Sequence, residues 1–178
     1  MDEYLVPLVD ADRKPCWLEH PDRKRSMDVA ALPFNPPEEN QVEYWRPETS
    51  GSGIDSGVWV AQDVFVIGYP FGQRGALDLP LWIRGTIASE PALYYLYKGE
   101  PMPVILVDAR TRIGQSGSPV VMLHRQFVDD RNPNNATPRS RLIGVYSGRI
   151  NDEADLGFVW RIEEVRRILG GDTRGTYD

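Results

Sequence analysis

The chain has 178 residues, 20 basic against 26 acidic, for a net charge of −6. That balance argues against a nucleic-acid footprint, and the basic residues of Arg23–Lys24–Arg25 and Arg161–Arg167 are interleaved with acids as on a solvated surface. Sixteen glycines and fifteen prolines favour short strands and turns over long helices, and a single cysteine excludes an intrachain disulfide and a cysteine-built metal cluster.

The elements are read in chain order. Met1–Asp2–Glu3 is acidic with no apolar signal core behind it, and no apolar run reaches membrane-spanning length; a cytoplasmic location without membrane partners is the expectation. Tyr4–Val9, Cys16–Leu18 and Met27–Pro33 read as short strands, joined by polar turns at residues 10–15 and 21–26. Residues 35–56, rich in Pro, Glu, Asn, Gly and Ser, read as a connection. From Gly57 short apolar segments recur: Val58–Ala61, Val64–Tyr69, Leu79–Ala88, Leu93–Tyr97, Val104–Val107, Val120–Leu123 and Leu142–Tyr146. With their Gly/Pro punctuation they predict an all-β protein, an antiparallel sheet closed as a barrel. Asp129–Arg141 reads as a polar hairpin loop. Val159, Ile162, Val165, Ile168 and Leu169 recur at helical spacing, with a stop at Gly170–Gly171, so one C-terminal helix is expected over the barrel. The expected organisation is residues 1–34, then the connection 35–56, then a barrel with its helix at 57–171, then a frayed tail at 172–178.

The chemistry concentrates in Gly114–Gln115–Ser116–Gly117–Ser118–Pro119. A hydroxyl between glycines, ahead of a strand, can be presented on a sharp turn. The N–H groups of Gly114 and Ser116 could then converge on one oxyanion. His124 lies on the strand that follows, carried about 26 Å from Ser116 at ~3.3 Å per residue, too far to serve as its base.

Five segments in order resemble the trypsin-like serine peptidases. Met27–Leu32 resembles their aspartate-bearing strand, Val64–Gly72 the first strand and turn of their second barrel, and Arg84–Ser89 the strand after it. Gly114–Pro119 resembles the nucleophile loop, and Leu142–Gly148 the strand that pairs with substrate backbone. The resemblance implies a complete second barrel, a remnant of the first in residues 1–34, and peptide-bond hydrolysis without cofactor or metal on a peptide or protein substrate. It implies Ser116 as nucleophile, Asp28 as the carboxylate that orients the base, and Gly114 with Ser116 as the oxyanion hole. Tyr146, Ser147 and Gly148 would bind substrate, with Arg110 and Thr111 at the floor of a specificity pocket. Gln115 stands where many members carry an aspartate that receives a freshly cut amine, so no such activation step is expected. The family's base histidine belongs several strands before its aspartate, and only 27 residues precede Asp28 here. His20 is the one imidazole that a hairpin could bring near Asp28. The chain as it stands is therefore expected to be truncated or inactive as an endopeptidase. The alternatives are a non-catalytic module that grips extended peptides by strand addition and a defective fragment.

Overall fold

The computed structural model describes residues 5–35, 57–127, 136–151 and 153–177; the expected connection at 35–56 falls almost wholly outside them. The chain divides into two compact units, Met1–Trp45 with Glu164–Asp178, and Arg46–Glu163. The expected division instead kept the helix with the barrel, at 57–171.

The second unit is a closed antiparallel barrel. Its strands are β1 (Asp63–Gly68), β2 (Leu81–Ile87), β5 (Val104–Ala109), β6 (Pro119–Phe127), β7 (Ala136–Arg149) and β8 (Leu156–Arg161), with the short hairpin β3 (Tyr95–Tyr97) and β4 (Glu100–Met102) beside them. Around the barrel the order is β1-β2-β5-β8-β7-β6, and β6 returns to β1 through Phe65↔Val121 and Val66↔Val120. Closure pairs each barrel strand on both sides over part of its length, which limits the exposed edge. Alternate inward positions supply the core, where Val64, Val66, Ile87, Ile105, Val107, Val120, Ile143, Tyr146 and Val159 cluster. The β3–β4 turn places Lys98 and Gly99 both at positive φ, as the twist of a two-residue hairpin demands. Tyr95 and Tyr97 of this hairpin pack their rings on Phe158.

The all-β barrel and the C-terminal helix, α1 (Ile162–Gly170), match the expected fold class. Several local readings change. Val159 belongs to β8, which ends in three consecutive buried residues, Val159–Arg161, and runs straight into the helical spacing that masks it. Val58–Ala61 forms no strand and runs into a turn at Val60 and Ala61, with Ala61 at φ 67°. Ala136–Arg141, expected in a loop, is the first half of β7 and pairs with Met122–Phe127.

In the first unit the expected strands reduce to isolated bridges, Val9↔Pro15 and Leu18↔Ala31. A strand needs a partner of similar length. Cys16–Leu18 is too short to offer one, bounded by Pro15 and by the turns that lead to the 3-10 turn Lys24–Ser26. The C-terminal residues, expected to fray, are held. Gly175 N–H donates to Trp17 O (3.0 Å), Arg174 bridges to Leu18, and the Tyr177 ring packs edge-on against Trp17.

Candidate functional site

In the barrel unit Ser116 stands exposed on the turn between β5 and β6. The turn is built from its own backbone: Gln115 N–H donates to Arg112 O (3.3 Å) and Ser118 N–H to Gln115 O (3.0 Å). Gln115 is fully buried, and its Oε1 accepts Arg112 N–H at 2.8 Å, so the side chain clamps the loop from below.

Gly114 sits at φ 93°, a conformation that costs a residue with Cβ. A Cβ there would also lie 2.6 Å from Tyr69 O. The neighbouring turn Tyr69–Gly72 approaches that closely because Phe71 N–H donates to Ile113 O (2.7 Å). Phe71, itself at φ 54°, is thereby tied to the Ser116 loop. That buttress was not legible in the sequence, where Gly68–Tyr69–Pro70–Phe71–Gly72 signalled only a turn. Neither Gly114 nor Ser116 donates its N–H to a described residue.

The facing strand completes the arrangement. Tyr146 N–H donates to Ser118 O (2.9 Å) and Tyr146 O accepts from Gly117 N–H (2.8 Å). The β7–β8 register shifts between Tyr146 and Gly148, so Ser147 bulges out of the ladder. Its carbonyl accepts the Ser116 hydroxyl at 2.5 Å, and its own Oγ accepts Trp160 Nε1–H at 3.2 Å. Beyond Pro119↔Val145 strand β6 has ended, so Arg149, paired with Gly157 of β8, meets no β6 residue on its other side. Strand β7 thus offers an open edge from Ser147 onward, beside the serine.

Thr111 is fully buried and its Oγ1 shares a 2.5 Å hydrogen bond with the Tyr146 phenol. Burial pushes the Tyr146 phenol above its ordinary pKa, an effect the Thr111 hydrogen bond partly opposes. Arg110 is exposed.

Two candidates lie in the other unit. Asp28 is exposed on a bend rather than at a strand start, lining an open depression with Glu19, Lys24 and Met27. His20 is wholly buried. Its Nδ1 accepts the N–H groups of Asp22 (3.2 Å) and Arg23 (3.0 Å), which puts the imidazole proton on Nε2. Nε2 lies 2.9 Å from Glu164 Oε2, off the ideal hydrogen-bond direction. With one nitrogen accepting from the backbone and the other facing a carboxylate, His20 has no nitrogen left to take a serine proton. The sequence-based suggestion of His20 as base is corrected on that ground. The His124 side chain lies outside the described residues; its backbone pairs with Arg139 on β6. Among the described residues no group of three or more His, Cys, Asp and Glu side chains is placed to hold a metal ion, and no helix is long and apolar enough to cross a membrane.

No family model matches this chain. No curated protein matches it in sequence. Among solved structures, the inactive form of the Rv3671c protease is 24% identical over 66% of this chain and 52% of that chain, with a TM-score of 0.42. Its Ser343Ala mutant from M. tuberculosis H37Rv, also in the inactive form, is 23% identical over 66% and 50%, at the same TM-score. The active form from M. tuberculosis is 25% identical over 69% and 48%, again at 0.42. The chain spans about half the length of these structures.

Proposed function

We propose that the barrel is the nucleophile-bearing part of a trypsin-like serine peptidase, acting on extended peptide or protein segments. Ser116 attacks the scissile carbonyl, and the N–H groups of Gly114 and Ser116 hold the oxyanion. The edge Tyr146–Ser147–Gly148 pairs with substrate backbone, and Asp28 orients the imidazole that takes the serine proton. One observation carries the reading. The Ser116 hydroxyl stands 2.5 Å from Ser147 O at the start of an open strand edge, on a turn held in a glycine-only conformation. Serine without a general base is a poor nucleophile at neutral pH, and His20 is committed elsewhere, so the chain by itself is nearly inert.

The same 2.5 Å contact favours a second reading, a non-catalytic peptide-binding module, because it uses the hydroxyl as a donor to backbone rather than to a base. Fluorophosphonate labelling at neutral pH separates the two. The expected result is slow labelling confined to Ser116 and absent in Ser116→Ala, with extended peptides shifting the amide resonances of Ser147–Arg149. Peptidase-like labelling rates would overturn the inertness. Absence of both labelling and peptide-induced shifts would remove both readings. For Asp28, the test is Asp28→Asn in a protein extended by a histidine-bearing segment: an orienting carboxylate predicts a turnover loss of about 10⁴-fold at unchanged melting temperature. Unchanged turnover would reject that role.

A further inference from the structure

Tyr146 does more than its backbone hydrogen bonds require. Its main chain brackets the serine turn, bonded to Gly117 on one side and to Ser118 on the other. The side chain is 2% exposed and joins the barrel core. Its ring lies along β8 against Gly157, where a Cβ would come within 2.3 Å of Cε2 and 2.9 Å of the phenol oxygen. The phenol ends at Thr111 Oγ1, five residues before Ser116 on the loop that enters the turn. The ring therefore fills the room bounded by the incoming loop, strand β7 and Gly157. A peptide on the Ser147–Arg149 edge, with a carbonyl at the Gly114 and Ser116 N–H groups, has two directions for the side chain of that residue. One points to solvent, and on the peptidase reading the other points toward the room the ring occupies.

We propose that Tyr146, held by Thr111 and seated on Gly157, is a built-in plug that restricts the residue presented to Ser116 to glycine or alanine. This rests on the peptidase reading above for the identity of the ligand, but not for the filled volume. Gly157 is what lets a phenol lie flat there, and Thr111 satisfies the hydroxyl that burial would otherwise leave without a partner. Replacing the ring with a methyl group opens a cavity of aromatic shape with the Thr111 hydroxyl at its far end, room that suits a small phenol.

The test uses the full chain and N-acyl tripeptide boronic acids ending in the alanine or the phenylalanine analogue. Ser116 Oγ adds to the trigonal boron, its proton passes to buffer, and the tetrahedral adduct is read by boron NMR. Wild type is expected to favour the alanine probe at least ~10-fold, since a single ill-fitting methylene already discriminates about that much. Tyr146→Ala should reverse the preference, and Tyr146→Phe should keep it because the ring remains. A second readout needs no chemistry at Ser116: p-cresol should raise the melting temperature of Tyr146→Ala and leave wild type unmoved. If Tyr146→Ala does not fold, Tyr146→Leu is read in its place. Equal binding of both probes by wild type, or an unreversed preference in the folded variant, would overturn the proposal. Absence of any boron adduct would reject the restriction on substrate in this chain and leave the peptidase reading to the fluorophosphonate test, since a serine without its base reacts slowly. The p-cresol shift then decides whether the plugged volume exists, and no shift would overturn that too.

Discussion

At the scale of single residues, the site depends on groups whose conformation or protonation has no easy substitute. Gly114→Ala places a Cβ at φ 93° and within 2.6 Å of Tyr69 O. We expect a loss of more than ~1 kcal/mol, because alanine is incompatible with that backbone, together with loss of fluorophosphonate labelling; chemical denaturation and mass spectrometry of Ser116 check both. Tyr146 gives a pH signature. Its folded pKa lies above the ordinary 10.0, so the native state keeps a proton that the unfolded chain has given up. The stability from the neutral phenol is complete below pH 10.0 and is lost as pH rises from there through the folded value. Alkaline melting curves should therefore fall less steeply for Tyr146→Phe than for wild type. Asp10 gives the acid counterpart. Lys14 N–H chiefly, with help from Arg174 and Asp12 N–H, holds its carboxyl below 3.8 despite a smaller opposing effect of burial. That contribution is complete above pH 3.8 and disappears as pH falls through the folded value, so Asp10→Asn should flatten the acid limb of the melting curve.

At the scale of elements, α1 is amphipathic, with Ile162 and Ile168 buried and Leu169 partly in solvent. Glu164 is its buried polar residue, facing His20 within the first unit. Arg167 on the same helix reaches Asp22 and lies 3.7 Å from Glu164, adding charge at the rim of that pair. His20→Ala strips the partner from a buried carboxylate and from the N–H groups of Asp22 and Arg23. A loss of about 1–3 kcal/mol follows from leaving those buried polar groups without their partner. The melting temperature reports it, while fluorophosphonate labelling of Ser116 should stay at the wild-type rate. A drop in labelling without a drop in stability would restore His20 as a catalytic candidate. The elements of the barrel show where periodicity sufficed. The β1, β2, β5 and β6 segments were legible because each carries a short apolar run between turn signals. Strand β8 was not, because Val159 and Ile162 are spaced as on a helix although the backbone changes from strand to helix between Arg161 and Ile162.

At the scale of the molecule, the two units differ in how their backbones are satisfied. The barrel closes a continuous ladder over six strands, whereas residues 5–35 have isolated bridges and local turns. Amides of β1, β5 and β8 are therefore expected to exchange with deuterium far more slowly than those of residues 5–35, since exposed local bonds open at low free energy. Equal protection in both regions would mean that the N-terminal residues fold as cooperatively as the barrel. The sequence by itself determined the all-β class, the helix near the C-terminus, the serine turn between glycines and the strand facing it, because alternation, turn residues and motif order are local properties. Only the tertiary structure decided what distant residues do to one another. It packed Tyr146 onto Gly157 under Thr111, tied Phe71 to Ile113, laid Tyr177 on Trp17, and gave His20 to Glu164 instead of leaving it free. Each of these depends on which atoms meet across the fold, and pairing between residues far apart in the chain leaves no trace in local spacing.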